Sequence, residues 1–335
     1  MCKRQRYAFP DFTGCLFFQS GQGKEYNDFH NPAGSPDDVF TRFHLLADAH
    51  IHITRENCRA MLDHMDSLGI DRALLMAFDE ESAEVNFDLA REHPQRFLAD
   101  CNVSTTPFDR LEDRLYSYKE RGAAGLGEFM VNRRIDDPYI RRVFAICQEL
   151  ELPVTFHMSP EAGYSYGIVD DAGLPLLEDA LRRFPRLILI GHSQSFWIEF
   201  SADVPHDREG RNSWGCGPVA REGRVFQLMD EYENLWCDLS AGSGSCAIMR
   251  DHDRGLDFIH RFSDRLLFAT DMTGPDMVFP LHDYLADCLA EGELSQAEAD
   301  RIFHGNFERL FGKKTEAGAV TPACDRMDQD CSVGI

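Results

Sequence analysis

The chain has 335 residues, 43% hydrophobic and 11% aromatic, with 34 Lys+Arg against 57 Asp+Glu and a formal net charge of −23 at pH 7. That apolar fraction is enough for a sizeable core, arranged as one large domain or two small ones. The charge argues against nucleic acid or an anionic membrane as partner, because long-range repulsion opposes the encounter.

No apolar run approaches the roughly 18–20 residues that a membrane helix needs. The basic start Met1-Cys2-Lys3-Arg4-Gln5-Arg6 leads to Pro10 and Asp11 instead of an apolar stretch, which argues against a secretory signal. The eleven cysteines are scattered and never spaced C-x-x-C. A chain of this length needs no disulfide framework, so a reducing, cytoplasmic setting is expected.

Residues 1–41, with Gly14, Gly21, Gly23, Pro32, Gly34 and Pro36, read as an N-terminal extension. From Arg42 onward, short apolar runs alternate with longer stretches of helical periodicity. The strand-like runs are 42–53, 70–78, 96–104, 123–131, 152–159, 186–193, 234–240 and 265–273. Helical patterns occupy 56–68, 83–93, 108–121, 138–151, 174–184 and 219–232. Within 141–150, Val143, Phe144, Ile146, Cys147 and Leu150 form one apolar stripe. Pro94, Pro138, Pro153 and Pro185 stand at element boundaries, where proline does least harm. Residues 194–218, with Trp197, His206, Arg208, Arg211 and Trp214, form an insertion after strand six. The tail 313–335 lacks a periodic apolar face.

Eight such alternations predict an α/β fold, a (β/α)8 TIM barrel over 42–312, close to the roughly 250 residues typical of that architecture. The alternative, a doubly wound open sheet, usually carries a Gly-rich turn after its first strand. Here the first strand ends in His50-Ile51-His52.

In a strand, residues i and i+2 point the same way, so His50 and His52 project together. Barrel enzymes place their chemistry at the C-terminal strand ends. Strand five ends in His157, strand six in His192 and strand eight in Asp271, while strand four carries Glu128. Several imidazoles and a carboxylate converging in a dry barrel mouth call for a divalent metal, and that donor set suits zinc. Taken singly these residues have plainer readings: a core histidine, or for Asp271 a helix cap. The joint placement makes the metal site.

The chain resembles the amidohydrolase superfamily, and within it the amidohydrolase-related group that includes aminocarboxymuconate-semialdehyde decarboxylase-like enzymes. The resemblance rests on Asp48-Ala49-His50-Ile51-His52, Phe156-His157, Ile190-Gly191-His192, Ala269-Thr270-Asp271 and the closing segment from Arg301 to Phe311. It implies that His50, His52 and His157 are metal ligands and that Asp271 is a ligand or the general base. It also implies that His192 touches the substrate or the activated water. Binuclear members often carry a lysine on strand four, and none occurs in 123–131. One Zn(2+) is therefore the first expectation, with Mn or Fe as substitutes. Two ions bridged by Glu128, with His192 on the second, is the alternative; Glu128 as a partner that orients a ligand imidazole is a third.

Zinc lowers the pKa of bound water from 15.7 to roughly 7, which supplies hydroxide at neutral pH. The breadth of the family that the chain resembles and the Glu128 option favour a hydrolase acting on an amide, lactone or ester of a small organic substrate. Non-oxidative decarboxylation uses the same parts, with Asp271 or His192 delivering a proton to carbon. A non-catalytic, metal-stabilised barrel is the remaining reading. For the substrate, Arg208, Arg211 and Trp214 are expected to form a lid, and Ser240 to open an anion-binding turn through Gly244. Tyr164 and Tyr166 are placed to line the pocket. Self-association into a homo-oligomer is compatible with all of this.

Overall fold

Each of the eight apolar runs contains a strand in the computed structural model, which describes residues 46–277 and 279–312. The extension 1–41, residues 42–45 of the first run and the tail from 313 lie outside the described residues. The strands are β1 (Leu46–Ile51), β2 (Ile70–Leu75), β3 (Phe97–Ala99), β4 (Leu126–Phe129) and β5 (Val154–Phe156). After a short parallel pair, β6 (Met158–Ser159) and β7 (Ile168–Val169), come β8 (Leu189–Gly191), β9 (Leu235–Asp238) and β10 (Leu266–Leu267).

The barrel strands pair in parallel, in two sheets ordered β1-β2-β3 and β4-β5-β8-β9-β10. Hydrogen bonds join the sheets at both seams. Cys101 N donates to Gly125 O at 3.0 Å and Gly127 N to Cys101 O at 3.1 Å. On the other side, Ala49 N donates to Phe268 O at 3.0 Å and Asp271 N to His50 O at 2.7 Å. The strand order is therefore cyclic, and the fold is the (β/α)8 barrel.

The strands read as apolar runs because both of their faces are covered. Most of the core lies between strands and outer helices. A smaller cluster joins Ala47, Ala49, Leu74, Met76, Ile190, Trp236, Leu267 and Ala269 to Phe307 and Phe311. β2 and β8 are not neighbours, so side chains that unite them meet across the enclosed side. Helices start where local chemistry satisfies their free N–H groups. Asp79 and Ser82 make a capping box for Glu80–Glu92, and Asp137 accepts from Tyr139 N at 2.7 Å ahead of Pro138–Glu149.

The insertion departs from the lid expected of it. It opens with a helix at Gln194–Trp197 and a 3-10 turn at Ile198–Phe200, and both are buried. Phe196 lies so close under Gly191 that a Cβ there would sit 2.4 Å from the ring, so this strand end must be glycine. Among the described residues, no helix is long and apolar enough to cross a membrane.

Candidate metal centre

The register of β1 against β2 shifts between Asp48 and Ile51, and that of β4 against β5 between Leu126 and Phe129. Both irregularities fall where a site residue is delivered, His50 in one and Glu128 in the other, as strand irregularities beside active sites often do. Three further residues just past strand ends occupy the left-handed region: Ser193 (φ 88°), Ala241 (φ 55°) and Asp271 (φ 60°). Such conformations cost about 1–3 kcal/mol each and persist only where the surroundings enforce them.

The central group is His50, His52 and Asp271. His50 Nε2 lies 3.2 Å from His52 Nε2, and Asp271 Oδ1 lies 3.4 Å from the first and 3.3 Å from the second. In a tetrahedral shell with bonds of about 2.0–2.1 Å, neighbouring donors stand about 3.3–3.4 Å apart. The three atoms thus form one face of such a shell. Glu128 Oε2 approaches the same two imidazoles at 3.9 and 3.7 Å. His50, Glu128 and His192 make a second donor group that shares His50.

The imidazole orientations are fixed from behind. His50 Nδ1 meets Asp238 Oδ2 at 2.6 Å, which holds a ring proton on Nδ1 and turns Nε2 toward the cluster. His192 Nδ1 lies 3.0 Å from Ser240 Oγ and 3.3 Å from Asp238 Oδ2. Asp48 accepts from Thr270 Oγ1 at 2.6 Å, Thr270 N at 3.0 Å and His50 N at 3.0 Å, stapling the seam at which Asp271 sits.

Burial alone would push the pKa of His50 down, but Asp271, Asp238 and Glu128 outweigh it and raise it to about 10. Burial also works against His192, yet Asp238 carries it upward. Burial opposes ionisation of Asp238 and Glu128 as well, and their imidazole neighbours nevertheless hold both far below the usual carboxylate range. Burial pushes Asp48 up to about 7 despite its hydrogen bonds. This pocket stabilises positive charge. The donor chemistry and spacing fit a divalent cation.

The remaining expected site residues divide. His157 gives its Nδ1 to Glu128 and belongs to neither donor group, so it meets the cluster through that carboxylate. Tyr166, 57% exposed, lies with its ring centroid 4.2 Å from His157. Arg211 is a correction: it is buried, and its guanidinium donates to Pro160 O and Asp170 O, each at 3.1 Å. Two of its guanidinium nitrogens thus fasten the chain, and its Nε is buried without a partner among the described residues. Arg208 is exposed, paired with Glu209 at 3.0 Å and Glu161 at 3.5 Å, and lies over the Tyr164 ring at 4.8 Å. Trp214 is half-buried against Gly242, where a Cβ would meet its ring at 2.3 Å. Ser240 is buried on His192, and the segment read as a turn through Gly244 begins the helix Ala241–Met249, with Ser240 at its N-cap.

A family model for amidohydrolases matches residues 35–313. The chain belongs to the amidohydrolase family. None of the curated proteins matches it. Among solved structures, an amidohydrolase from Burkholderia multivorans with bound zinc superposes with a TM-score of 0.54 at 14% identity, covering 80% of this chain and 99% of the other. A probable 2-pyrone-4,6-dicarboxylic acid hydrolase from Acinetobacter baumannii gives 0.51 at 12% identity, with coverage of 80% and 99%. A 5-carboxyvanillate decarboxylase from Sphingomonas paucimobilis gives 0.51 at 15% identity, with the same coverage. These likenesses establish the barrel.

Two residues of this amidohydrolase site go beyond the sequence reading. Asp238 ends β9 as Asp271 follows β10, so its place at a strand end is the signal that marks it. Phe78, 46% exposed, stacks on His52 with centroids 4.0 Å apart and planes 7° from parallel. Nothing in the sequence distinguishes it from a core phenylalanine.

Proposed function

We propose that this amidohydrolase is a zinc-dependent hydrolase of a small organic substrate carrying an amide, lactone or ester. His50, His52 and Asp271 are the proposed holders of the ion, with a further donor from the Glu128–His157 pair. When bound, a divalent ion supplies Lewis acidity and lowers the pKa of a coordinated water from 15.7 to roughly 7.

The observation that carries the reading is the span of Asp271. Its Oδ1 faces both ligand imidazoles, its Oδ2 lies 3.8 Å from His192 Nε2, and its side chain is 26% exposed. One carboxylate thus touches the donor cluster, the opposite imidazole and solvent. In this role Asp271 accepts the proton of the attacking water and returns it to the leaving group. His192, held by Ser240 and Asp238 and favoured in its protonated form, donates a hydrogen bond to the scissile carbonyl.

A second reading has its own observation. Phe78 and Tyr166 present exposed rings against His52 and His157, which suits a planar aromatic substrate. Decarboxylation of an aromatic acid, with Asp271 or His192 protonating the ring carbon as CO2 departs, uses those surfaces. The decarboxylase among the structural relatives is compatible with it, as the hydrolase is with the first reading. A screen of lactones and esters scored for proton release, of amides scored for amine release and of aromatic acids scored for CO2 tests both. Proton or amine release without CO2 supports the hydrolase; CO2 release from aromatic acids alone replaces it with the lyase.

A further inference from the structure

Away from the barrel mouth, three potential metal donors converge from separate pieces of chain. His252 is the first residue of the helix His252–Phe262, and Cys288 lies in the helix Pro280–Ala290. Glu293 follows the turn at Gly292 (φ 77°) that ends the second helix. One donor atom from each lies within 4.8 Å of the other two, and His252 Nε2 stands 3.2 Å from Glu293 Oε2. We propose that His252, Cys288 and Glu293 form a second, outer zinc site, sharing no residue with the barrel mouth.

The arrangement is built rather than incidental. Glu293 N and Leu294 N both donate to Cys288 O, at 2.8 and 3.2 Å, so the backbone itself folds Glu293 back over the thiol. Tyr284, one turn before Cys288 on the same helix face, meets His252 Nδ1 at 3.0 Å. With the Nδ1 proton given to the Tyr284 oxygen, Nε2 keeps its lone pair for an ion, the support that metal-ligating histidines commonly have.

One imidazole, one thiol and one carboxylate make a borderline-soft set that suits zinc, whereas magnesium and calcium take oxygen donors. Cys288 is 3% exposed, but the His252 and Glu293 side chains are each about one-third exposed. An ion can reach the site and keep a water as its fourth ligand. Burial pushes the Cys288 thiol up to about 12, so it is neutral without metal. A coordinating divalent ion deprotonates a thiol outright, and here the released proton goes to solvent.

Cobalt(II) substitution of the full-length chain, with its thiols kept reduced, isolates this site spectroscopically. The barrel-mouth donors are nitrogen and oxygen, so a thiolate-to-cobalt charge-transfer band reports the outer site. The band is expected in the wild type and lost in Cys288→Ala and His252→Ala, with bound zinc falling by about one equivalent per chain. Glu293→Gln preserves shape and is expected to weaken zinc at least tenfold in chelator competition, which keeps the test open if Cys288→Ala fails to fold. No charge-transfer band, a band that survives Cys288→Ala, or unchanged zinc affinity in Glu293→Gln overturns the proposal.

Discussion

At the barrel mouth, His50, His52 and Asp271 turn three donor atoms toward one another at 3.2–3.4 Å. In the insertion after β8, Arg211 spends its guanidinium on two main-chain carbonyls, and Arg208 is neutralised by Glu209 and Glu161. Both regions hold clustered charge, and both suggest function from sequence. The difference lies in what each side chain already satisfies. Donors that face each other leave work for an ion, whereas a buried guanidinium bonded to two main-chain carbonyls ties the chain together.

Substitutions can break this contrast. Asp271→Asn removes the proposed base while keeping its shape. Turnover is expected to fall by about 10²–10⁴-fold, with an unchanged circular dichroism spectrum. Near-normal kcat would remove Asp271 from the chemistry.

Arg211→Met keeps the buried stem but strands two carbonyls, at about 1–3 kcal/mol each. Urea denaturation is expected to show a loss of about 2–6 kcal/mol, while kcat/KM per folded molecule stays within about twofold. A raised KM with unchanged stability would return Arg211 to the substrate pocket.

Asp238→Asn loosens the orientation of both His50 and His192. Metal affinity is expected to drop about 10–100-fold in competition with a chelator. The smallest effect belongs to Arg208→Ala, expected to change stability by no more than about 0.5 kcal/mol. A larger loss there would show the insertion's surface charge to matter.

The strands were legible because a barrel strand is covered on both faces and therefore reads as an uninterrupted apolar run. His50, His52, His192 and Asp271 were legible for a related reason: a titratable residue closing such a run has few solvated places to go. The fate of Arg211 was not. Its partners, Pro160 and Asp170, lie 51 and 41 residues away, and only the fold brings them together. The helix Ala241–Met249 was hidden by Gly242, Ser243 and Gly244, which locally favour a turn at up to about 1 kcal/mol per glycine. Packing reverses that preference, because Gly242 lies under Trp214 and Gly244 against the backbone of Leu239, where a Cβ would stand 2.6 Å away.

The claim on which the site rests is that the barrel mouth holds an ion. Metal content of the Cys288→Ala protein, purified after zinc-supplemented expression, tests it with the outer donors disabled. About one equivalent or more of zinc per chain is expected, lost on adding His50→Ala and His52→Ala. Less than about 0.3 equivalents of zinc, manganese or iron, or a content unmoved by those substitutions, would contradict it.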